Sequence, residues 1–309
     1  MALNIVKGVR KPPRIVIYGE PKVGKSTFAA NTPKPVFVPM ADAGIDNLPV
    51  DALPVAKSWA EALANIKQVA TEKHDYQTMV VDTLGGLTDL AADFVCKAKF
   101  KGDFGPNGFL AFAQGWSATS EEMRQLIPLF DQCTERGMSV LLTAHTGVTT
   151  VRNPVDADYS KFCPALDRRV WARFAAWADI ILRADFEYSV VDVNKKSNKG
   201  RVIGTTTRIL RCSGTPAEDA GCRAGYELPD SLPLSWDALA EALGRDGETL
   251  PEVQKRWGLF TAEQQRKAMA WLGVKDMKEA PVGKMRQLLN RLRTIETGKN
   301  EKKETTDGN

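Results

Sequence analysis

The sequence has 309 residues and a net charge of +4, with 43% hydrophobic and 26% charged residues, which is typical of a soluble globular protein with a sizeable core. It contains no run of 18 apolar residues and its amino terminus lacks the apolar segment of a signal peptide, so we expect a cytoplasmic protein without a membrane partner. Five cysteines without a CxxC pair and two histidines argue against a disulfide framework and a histidine-rich metal site.

Residues 19–26, Gly-Glu-Pro-Lys-Val-Gly-Lys-Ser, match the phosphate-binding loop pattern GxxxxGK[ST]. An apolar run over 14–18 predicts a buried strand before the loop, and residues 26–31 predict a helix after it. In this context the loop amides and the helix amino terminus bind an anion. We expect Lys25 to reach the β- and γ-phosphates of ATP and the Ser26 hydroxyl to bind Mg²⁺. The predicted nucleotide-binding residues are Gly19, Glu20, Pro21, Lys22, Val23, Gly24, Lys25, Ser26 and Thr27.

Strands and helices alternate in the next part of the chain. Residues 35–38 predict a strand, residues 58–72 have helical spacing with Ser58 as the N-cap, and residues 78–82 form an apolar strand that ends in Asp82. An acid at the end of a strand about 55 residues after a phosphate loop is typical of the carboxylate that holds a water on Mg²⁺. We therefore predict that Asp82 is the second residue of the metal site.

Two helices are predicted before the next strand. Residues 86–99 predict the first helix, which is followed by a glycine-rich loop with basic and aromatic residues over 100–108. Thr119 and Glu122 have the spacing of a capping box, and they predict the start of a second helix that continues through Cys133.

Residues 139–145 predict another buried strand, which ends in His145. A long polar loop is predicted over 146–166, then a helix over 167–178 and a strand over 180–182. This alternation indicates a parallel α/β sheet with helices on both faces, and ligands bind such sheets at the carboxyl ends of the strands.

A β-hairpin is predicted from the β-rich runs 186–193 and 201–212, joined by the polar connection 194–200. The connection carries three lysines, which are consistent either with a solvated turn that protects the sheet edge or with contact to phosphate. Residues 236–243 predict a short amphipathic helix.

The excess positive charge lies at the carboxyl-terminal end. From Arg245 onward there are 14 Lys and Arg against 10 Asp and Glu, whereas the preceding residues contain 28 of each. Three short helices with basic faces are predicted over 251–259, 262–272 and 282–294. The predicted domains are a core over 1–244, a small basic helical domain over 245–296 and a disordered tail over 297–309.

The order of these motifs resembles that of the RecA-like phosphate-loop ATPases, and most closely the compact type found in phage recombination modules that assist single-strand annealing and strand exchange. The resemblance covers residues 14 to about 240. It rests on GEPKVGKST at 19–27, VFVPMADAGID at 36–46, TMVVDT at 78–83 and SVLLTAHT at 139–146. It implies a RecA-like core with a mainly parallel sheet flanked by helices. The β-hairpin and the small carboxyl-terminal helical unit are predicted from the residue patterns above, and the helical unit lies outside the resemblance.

The resemblance also implies roles for single residues. Asp42 takes the place of the acid, more often Glu, that activates the attacking water. His145 takes the place of the polar residue that senses the γ-phosphate. Such ATPases usually work as rings or filaments in which a neighbouring subunit supplies a Lys or Arg, and Arg223 is our candidate for that residue.

In the family, DNA-binding loops follow the strands that correspond here to those ending in Asp82 and His145, which implies single-stranded DNA as a partner. A single-strand-binding protein is a further expected partner. The basic residues at these positions would contact phosphates and the aromatic ones would stack on bases. The corresponding residues are Lys99, Lys101, Phe104, Arg152, Tyr159 and Lys161.

Three functions are consistent with the sequence. We favour a Mg²⁺-dependent ATPase that binds single-stranded DNA and promotes annealing or strand exchange in homologous recombination. A hexameric helicase-like motor or a helicase loader in DNA replication is the second. A nucleotide-dependent switch that binds protein is the third, because residues 1–244 carry no net charge whereas a DNA-binding core is often basic.

Overall fold

The computed structural model describes residues 11–194, 199–244 and 262–272. The chain divides into two compact units, Met1–Ala224 with Pro229–Trp236, and Gly225–Leu228 with Asp237–Asn309. Within the described ranges, no helix is both long enough and apolar enough to span a membrane.

The strands are β1 (Arg14–Gly19), β2 (Pro35–Pro39), β3 (Asp51–Ala52), β4 (Thr78–Asp82), β5 (Ser139–Val151), β6 (Tyr159–Pro164), β7 (Ile180–Asn194), β8 (Lys199–Arg211), β9 (Gly221–Cys222) and β10 (Ser231–Pro233). The helices are α1 (Lys25–Ala30), α2 (Trp59–Thr71), α3 (Leu84–Phe100), α4 (Gln114–Met123), α5 (Leu126–Glu135), α6 (Arg168–Trp177), α7 (Trp236–Leu243) and α8 (Ala262–Leu272). A 3-10 turn at Ala111–Ala113 precedes α4.

One sheet organises the first unit, with the strand order β10-β8-β7-β1-β5-β4-β2-β3. The strands from β7 to β3 in this order run parallel, whereas β8, β9 and β10 pair antiparallel with their neighbours. The phosphate-loop strand β1 lies near the centre, and β5 separates it from the Asp82 strand β4. This architecture confirms the predicted RecA-like α/β fold.

The central strands are buried on both faces, as their continuous apolar runs predict. Ile15 and Ile17 of β1 have no solvent exposure, and Phe130 of α5 packs with Phe174 and Trp177 of α6 in the main core cluster. Helix α6 begins after Asp167, whose carboxylate accepts a hydrogen bond from the Arg169 backbone N–H at 2.9 Å. Both helices therefore pack against the sheet in the same core cluster.

The helix predicted from Thr119 through Cys133 is wrong in its start and its continuity. Two helices, α4 and α5, occupy this region, and α4 begins five residues before Thr119. Thr119 lies inside α4, where its buried hydroxyl donates to the Gly115 carbonyl at 2.9 Å. The pattern is misleading because a threonine hydroxyl can also donate a hydrogen bond to a carbonyl one turn earlier inside a helix, in place of capping a helix start.

The long loop predicted over 146–166 is also wrong. Strand β5 continues to Val151 and pairs antiparallel with β6, so that only residues 152–158 connect the two strands. The segment is polar but rich in β-branched Thr and Val, which favour extended backbone even where one face meets solvent. The β5–β6 hairpin therefore extends directly from a strand of the core sheet.

The second predicted hairpin is present as the antiparallel pair β7–β8, and β7 also absorbs the strand predicted over 180–182. Residues 195–198 at its tip lie outside the described part of the chain. The predicted helices over 236–243 and 262–272 match α7 and α8. The predicted helices over 251–259 and 282–294, and the tail over 297–309, fall outside the described residues, and the predicted domain boundary after residue 244 stays a prediction.

Candidate nucleotide-binding site

The phosphate loop joins the end of β1 to the start of α1. Gly24 has a φ of 112°, in the left-handed region that a side chain disfavours, and it is the N-cap of α1. The buried Lys25 ammonium donates hydrogen bonds to the Gly19 carbonyl at 2.8 Å and the Glu20 carbonyl at 3.0 Å. The lysine thus lies across its own loop with its charge at the helix amino terminus, which is the geometry of an anion site.

Burial sets the protonation behaviour of Lys25. Desolvation lowers the pKa of Lys25 below its ordinary 10.5, and the carboxylates of Asp82, Glu20 and Asp42 oppose this change. A bound phosphate would add negative charge next to the ammonium and favour its charged form further.

Asp82 is held from both sides by hydroxyl groups. Ser26 Oγ donates to Asp82 Oδ2 at 2.7 Å, and Thr143 Oγ1 of the intervening strand β5 donates to Asp82 Oδ1 at 2.5 Å. Asp82 is only 2% exposed, and Ser26 is half-buried. Adjacent hydroxyl and carboxylate oxygens beside a phosphate loop fit Mg²⁺, which prefers oxygen ligands and usually shares them with substrate phosphates and water.

No cluster of three or more His, Cys, Asp or Glu side chains placed to hold a metal occurs in the described ranges. The adjacent Ser26 hydroxyl and Asp82 carboxylate are the groups that would hold Mg²⁺, with the remaining positions left for phosphate and water oxygens.

Asp42 and His145 face each other beside the loop. Thr83 Oγ1 donates to Asp42 Oδ2 at 2.6 Å, and the same carboxylate oxygen lies 3.7 Å from His145 Nε2. Thr83 is also the N-cap of α3, where its hydroxyl accepts a hydrogen bond from the Gly86 N–H at 3.0 Å. Thr83 therefore orients Asp42. The Nδ1 atom of His145 is buried and has no hydrogen-bond partner within the described chain.

These groups line one cleft of about 350 Å³. It forms where the carboxyl ends of β1, β2, β4 and β5 meet, as expected for a ligand site in a parallel sheet. Its lining residues are Pro21, Lys22, Gly24, Lys25, Ser26, Thr27, Asp42, Gly44, Leu48, Asp82, Thr83, His145 and Arg208. Asp42 and His145 also form a wall of a neighbouring cavity of about 530 Å³, which the β5–β6 hairpin and the starts of α3 and α6 enclose.

Arg223 is not brought into this cleft. It directly follows β9, which pairs with the first residues of β7. This places Arg223 where the parallel strands begin, at the opposite end of the strands from the phosphate loop. Its backbone N–H donates to the Asp179 carbonyl at 2.8 Å, its Nε lies 3.7 Å from Asp179 Oδ1, and its guanidinium also donates to the Ala176 carbonyl. A role in a neighbouring subunit's site stays a prediction.

The residues predicted to bind DNA lie on two separate elements. Lys99 and Lys101 are exposed at the end of α3, which places about 25 Å of helix between them and the Asp82 strand. The ring of Phe104 is 45% exposed and packs 4.7 Å from that of Phe109.

The other predicted DNA contacts are on the β5–β6 hairpin. Arg152 and Tyr159 are exposed there. Lys161 Nζ, by contrast, lies 2.5 Å from Asp219 Oδ1, so its charge is already paired.

The sequence does not reveal the roles of Thr83 and Arg208, which line the cleft, or of Gly86, which lines the neighbouring cavity. Thr83 follows Asp82 directly, and its N-cap position before α3 was a usable signal. Gly86 has no local sequence signal, because its role depends on residues that are distant in sequence: a Cβ there would lie 2.5 Å from Asp42 Oδ1 and 2.8 Å from Met40 Cβ. Arg208 reaches the cleft through the register of β7 and β8, which local patterns do not reveal.

The fold and the phosphate loop define a RecA-like P-loop ATPase. The chain belongs to the AAA domain family, which matches residues 11–224. Members of P-loop ATPase families generally bind ATP and Mg²⁺.

Among solved structures, the chain is similar to the flagellar accessory protein FlaH from Methanocaldococcus jannaschii, with 11% identity, a TM-score of 0.37, and coverage of 73% of this chain and 85% of that chain. No curated protein matches the sequence.

Proposed function

We propose that the protein is a Mg²⁺-dependent ATPase whose nucleotide state controls binding of single-stranded DNA during annealing or strand exchange. The observation that carries the proposal is the convergence of Lys25, Ser26, Asp82, Asp42 and His145 on one cleft. A phosphate-binding lysine, oxygen ligands for a hard cation, and a carboxylate next to a polar sensor are the parts that phosphoryl transfer to water needs.

In this reaction the water oxygen forms a bond to the γ-phosphorus, and the bond from that phosphorus to the oxygen of the leaving ADP breaks. Asp42 accepts the proton that the water loses, and Thr83 keeps its carboxylate in place. Lys25 binds the phosphate oxygens, and Ser26 and Asp82 would hold Mg²⁺. When bound, Mg²⁺ neutralises charge on the phosphate oxygens.

A continuous strand supports coupling of this site to DNA. Strand β5 carries Thr143 against Asp82 and His145 beside Asp42, and then continues without a break into the β5–β6 hairpin. A shift of His145 on loss of the γ-phosphate would therefore move the base of the hairpin. Exposed Arg152 and Tyr159 at its far end offer a phosphate contact and a base-stacking ring.

The test of the proposal is steady-state ATP hydrolysis without DNA, with single-stranded DNA and with duplex DNA. We expect single strands to stimulate the rate more than duplex does. Two results together would contradict the DNA-dependent function: a hydrolysis rate that is the same with and without DNA, and a DNA affinity that is the same with and without nucleotide. They would favour a switch that binds protein.

The DNA surface is tested by two paired variants. Arg152→Ala with Tyr159→Ala on the hairpin should reduce the stimulation by single strands several-fold, because each base stacked on an aromatic ring contributes about 1–3 kcal/mol. Lys99→Ala with Lys101→Ala, at the end of α3, is the comparison. If only this second pair reduces the stimulation, the hairpin is not the DNA surface.

Gly86→Ala is expected to lower the hydrolysis rate about tenfold or more with little change in ATP affinity. The added methyl group would clash with Asp42 Oδ1 and Met40 Cβ, so the Asp42 carboxylate must move, whereas the phosphate loop is not touched by the change. Single-turnover hydrolysis and nucleotide titration separate the two quantities. Gly85→Ala is the matched control, because the nearest atom to its new Cβ, Thr83 Oγ1, is at 3.4 Å. Equal rates for the two variants would rule out the proton-accepting role of Asp42.

A further inference from the structure

One arginine in the nucleotide cleft has no acidic partner. Arg208 lies on β8, and its guanidinium forms neither a hydrogen bond nor an ion pair with any residue that the structure describes. Its central carbon lies 5.8 Å from the centre of the Phe186 ring. Arg211, three residues further along the strand, instead lies next to the carboxylates of Asp185 and Glu218. The charge of Arg208 is thus available to an anionic ligand.

Strand pairing fixes where Arg208 lies. Strand β7 runs parallel to β1 and continues past its end, and Arg208 pairs with Phe186 in that continuation. On its other side, the Leu234 N–H donates to the Arg208 carbonyl at 3.0 Å. Arg208 is consequently held next to the phosphate loop, where its Nη1 would lie 3.2 Å from a Cβ placed on Gly24.

We propose that Arg208 binds the phosphate chain of a nucleoside diphosphate or triphosphate in the cleft of its own subunit. The inference rests on the proposed nucleotide site. Lys25 supplies a point charge from within the loop, and Arg208 adds a planar group that donates two parallel hydrogen bonds to phosphate oxygens. Gly24 directly precedes Lys25, and its lack of a side chain leaves room for the Arg208 guanidinium beside the loop.

The test is the affinity of the full chain for ATP and for ADP, measured by calorimetry with Mg²⁺ present. Arg208→Gln is expected to raise both dissociation constants at least about tenfold, because it removes charge-assisted hydrogen bonds to phosphate. Arg208→Lys should cause a smaller loss, because it keeps the charge but not the planar fork. The melting temperature without nucleotide should not change, because the Arg208 side chain is exposed. Arg124→Gln, at the exposed carboxyl-terminal cap of α4, is the control and should bind like the wild type.

Two results would overturn the proposal while leaving the nucleotide site intact. The first is wild-type affinity in Arg208→Gln while Lys25→Met loses binding. The second is recovery of hydrolysis when Arg208→Gln and Lys25→Met proteins are mixed, because recovery requires Arg208 to act across a subunit interface. Failure of the wild-type protein to bind either nucleotide would instead overturn the proposed function, and this inference with it.

Discussion

Replacing Lys25 with methionine is expected to reduce ATP hydrolysis by at least about 100-fold, the loss that follows removal of one buried donor to transition-state charge. Methionine preserves most of the length of the buried stem, so the change removes the ammonium that now lies on the Gly19 and Glu20 carbonyls. Steady-state hydrolysis at saturating ATP is the measurement. Lys67→Ala, an exposed lysine of α2, is the control. Retained turnover in Lys25→Met would place the chemistry outside this cleft.

The same lysine predicts how ATP affinity depends on pH. Burial lowers the pKa of Lys25 in the free protein, and phosphate anions in the cleft would raise it. ATP affinity should therefore be highest below the Lys25 pKa of the free protein and should weaken as the pH rises through it. Between the pKa of the free protein and that of the complex, binding should take up a proton. Calorimetry in buffers of different ionisation enthalpy measures the uptake. Lys25→Met should show none of it.

Local sequence patterns predicted the parts of the site that depend on local chemistry. The loop over 19–26 and the acid that ends β4 were both found, because each sits at a strand end with a recognisable residue pattern. The alternation of strands and helices also predicts a parallel sheet, which brings the loop and this acid to the same ends of its strands. In the structure, Ser26 Oγ lies 2.7 Å from Asp82 Oδ2.

The rest of the site depends on contacts between distant segments. The pairing of Phe186 with Arg208 is set by the register of a hairpin that contains two irregularities, and no local pattern encodes it. The β5–β6 hairpin was misread because its polar residues suggested a loop, whereas the antiparallel partner Tyr159–Pro164 satisfies its backbone. Arg223 is predicted only from the family resemblance, and the structure places it near the start of β7, at the opposite end of the parallel strands from the phosphate loop.

A buried charge cluster anchors the base of the β7–β8 ribbon next to β1. Arg183 of β7 is 7% exposed, with Nη1 at 2.7 Å from Glu218 Oε2 and Nη2 at 2.8 Å from Asp185 Oδ2. Its central carbon also lies 3.8 Å from the centre of the Phe162 ring. Burial lowers the pKa of Arg183, but the hydrogen bond that its guanidinium donates to Glu218 and the charges of both carboxylates raise it more, so the net direction is upward.

Arg183→Met is expected to lower the free energy of unfolding by about 3–5 kcal/mol, because it leaves two buried carboxylates without their main cation. Arg211→Met is the matched comparison: its Nε is 3.5 Å and 3.7 Å from the same carboxylates and its side chain is 31% exposed, so we expect a loss of about 1 kcal/mol or less. Adding Asp185→Asn and Glu218→Gln to Arg183→Met should restore part of the stability, since the cost lies in uncompensated charge and not in lost packing. Guanidinium unfolding followed by circular dichroism measures all three proteins, and equal losses for Arg183→Met and Arg211→Met would contradict the assignment of Arg183 as the central cation of the cluster.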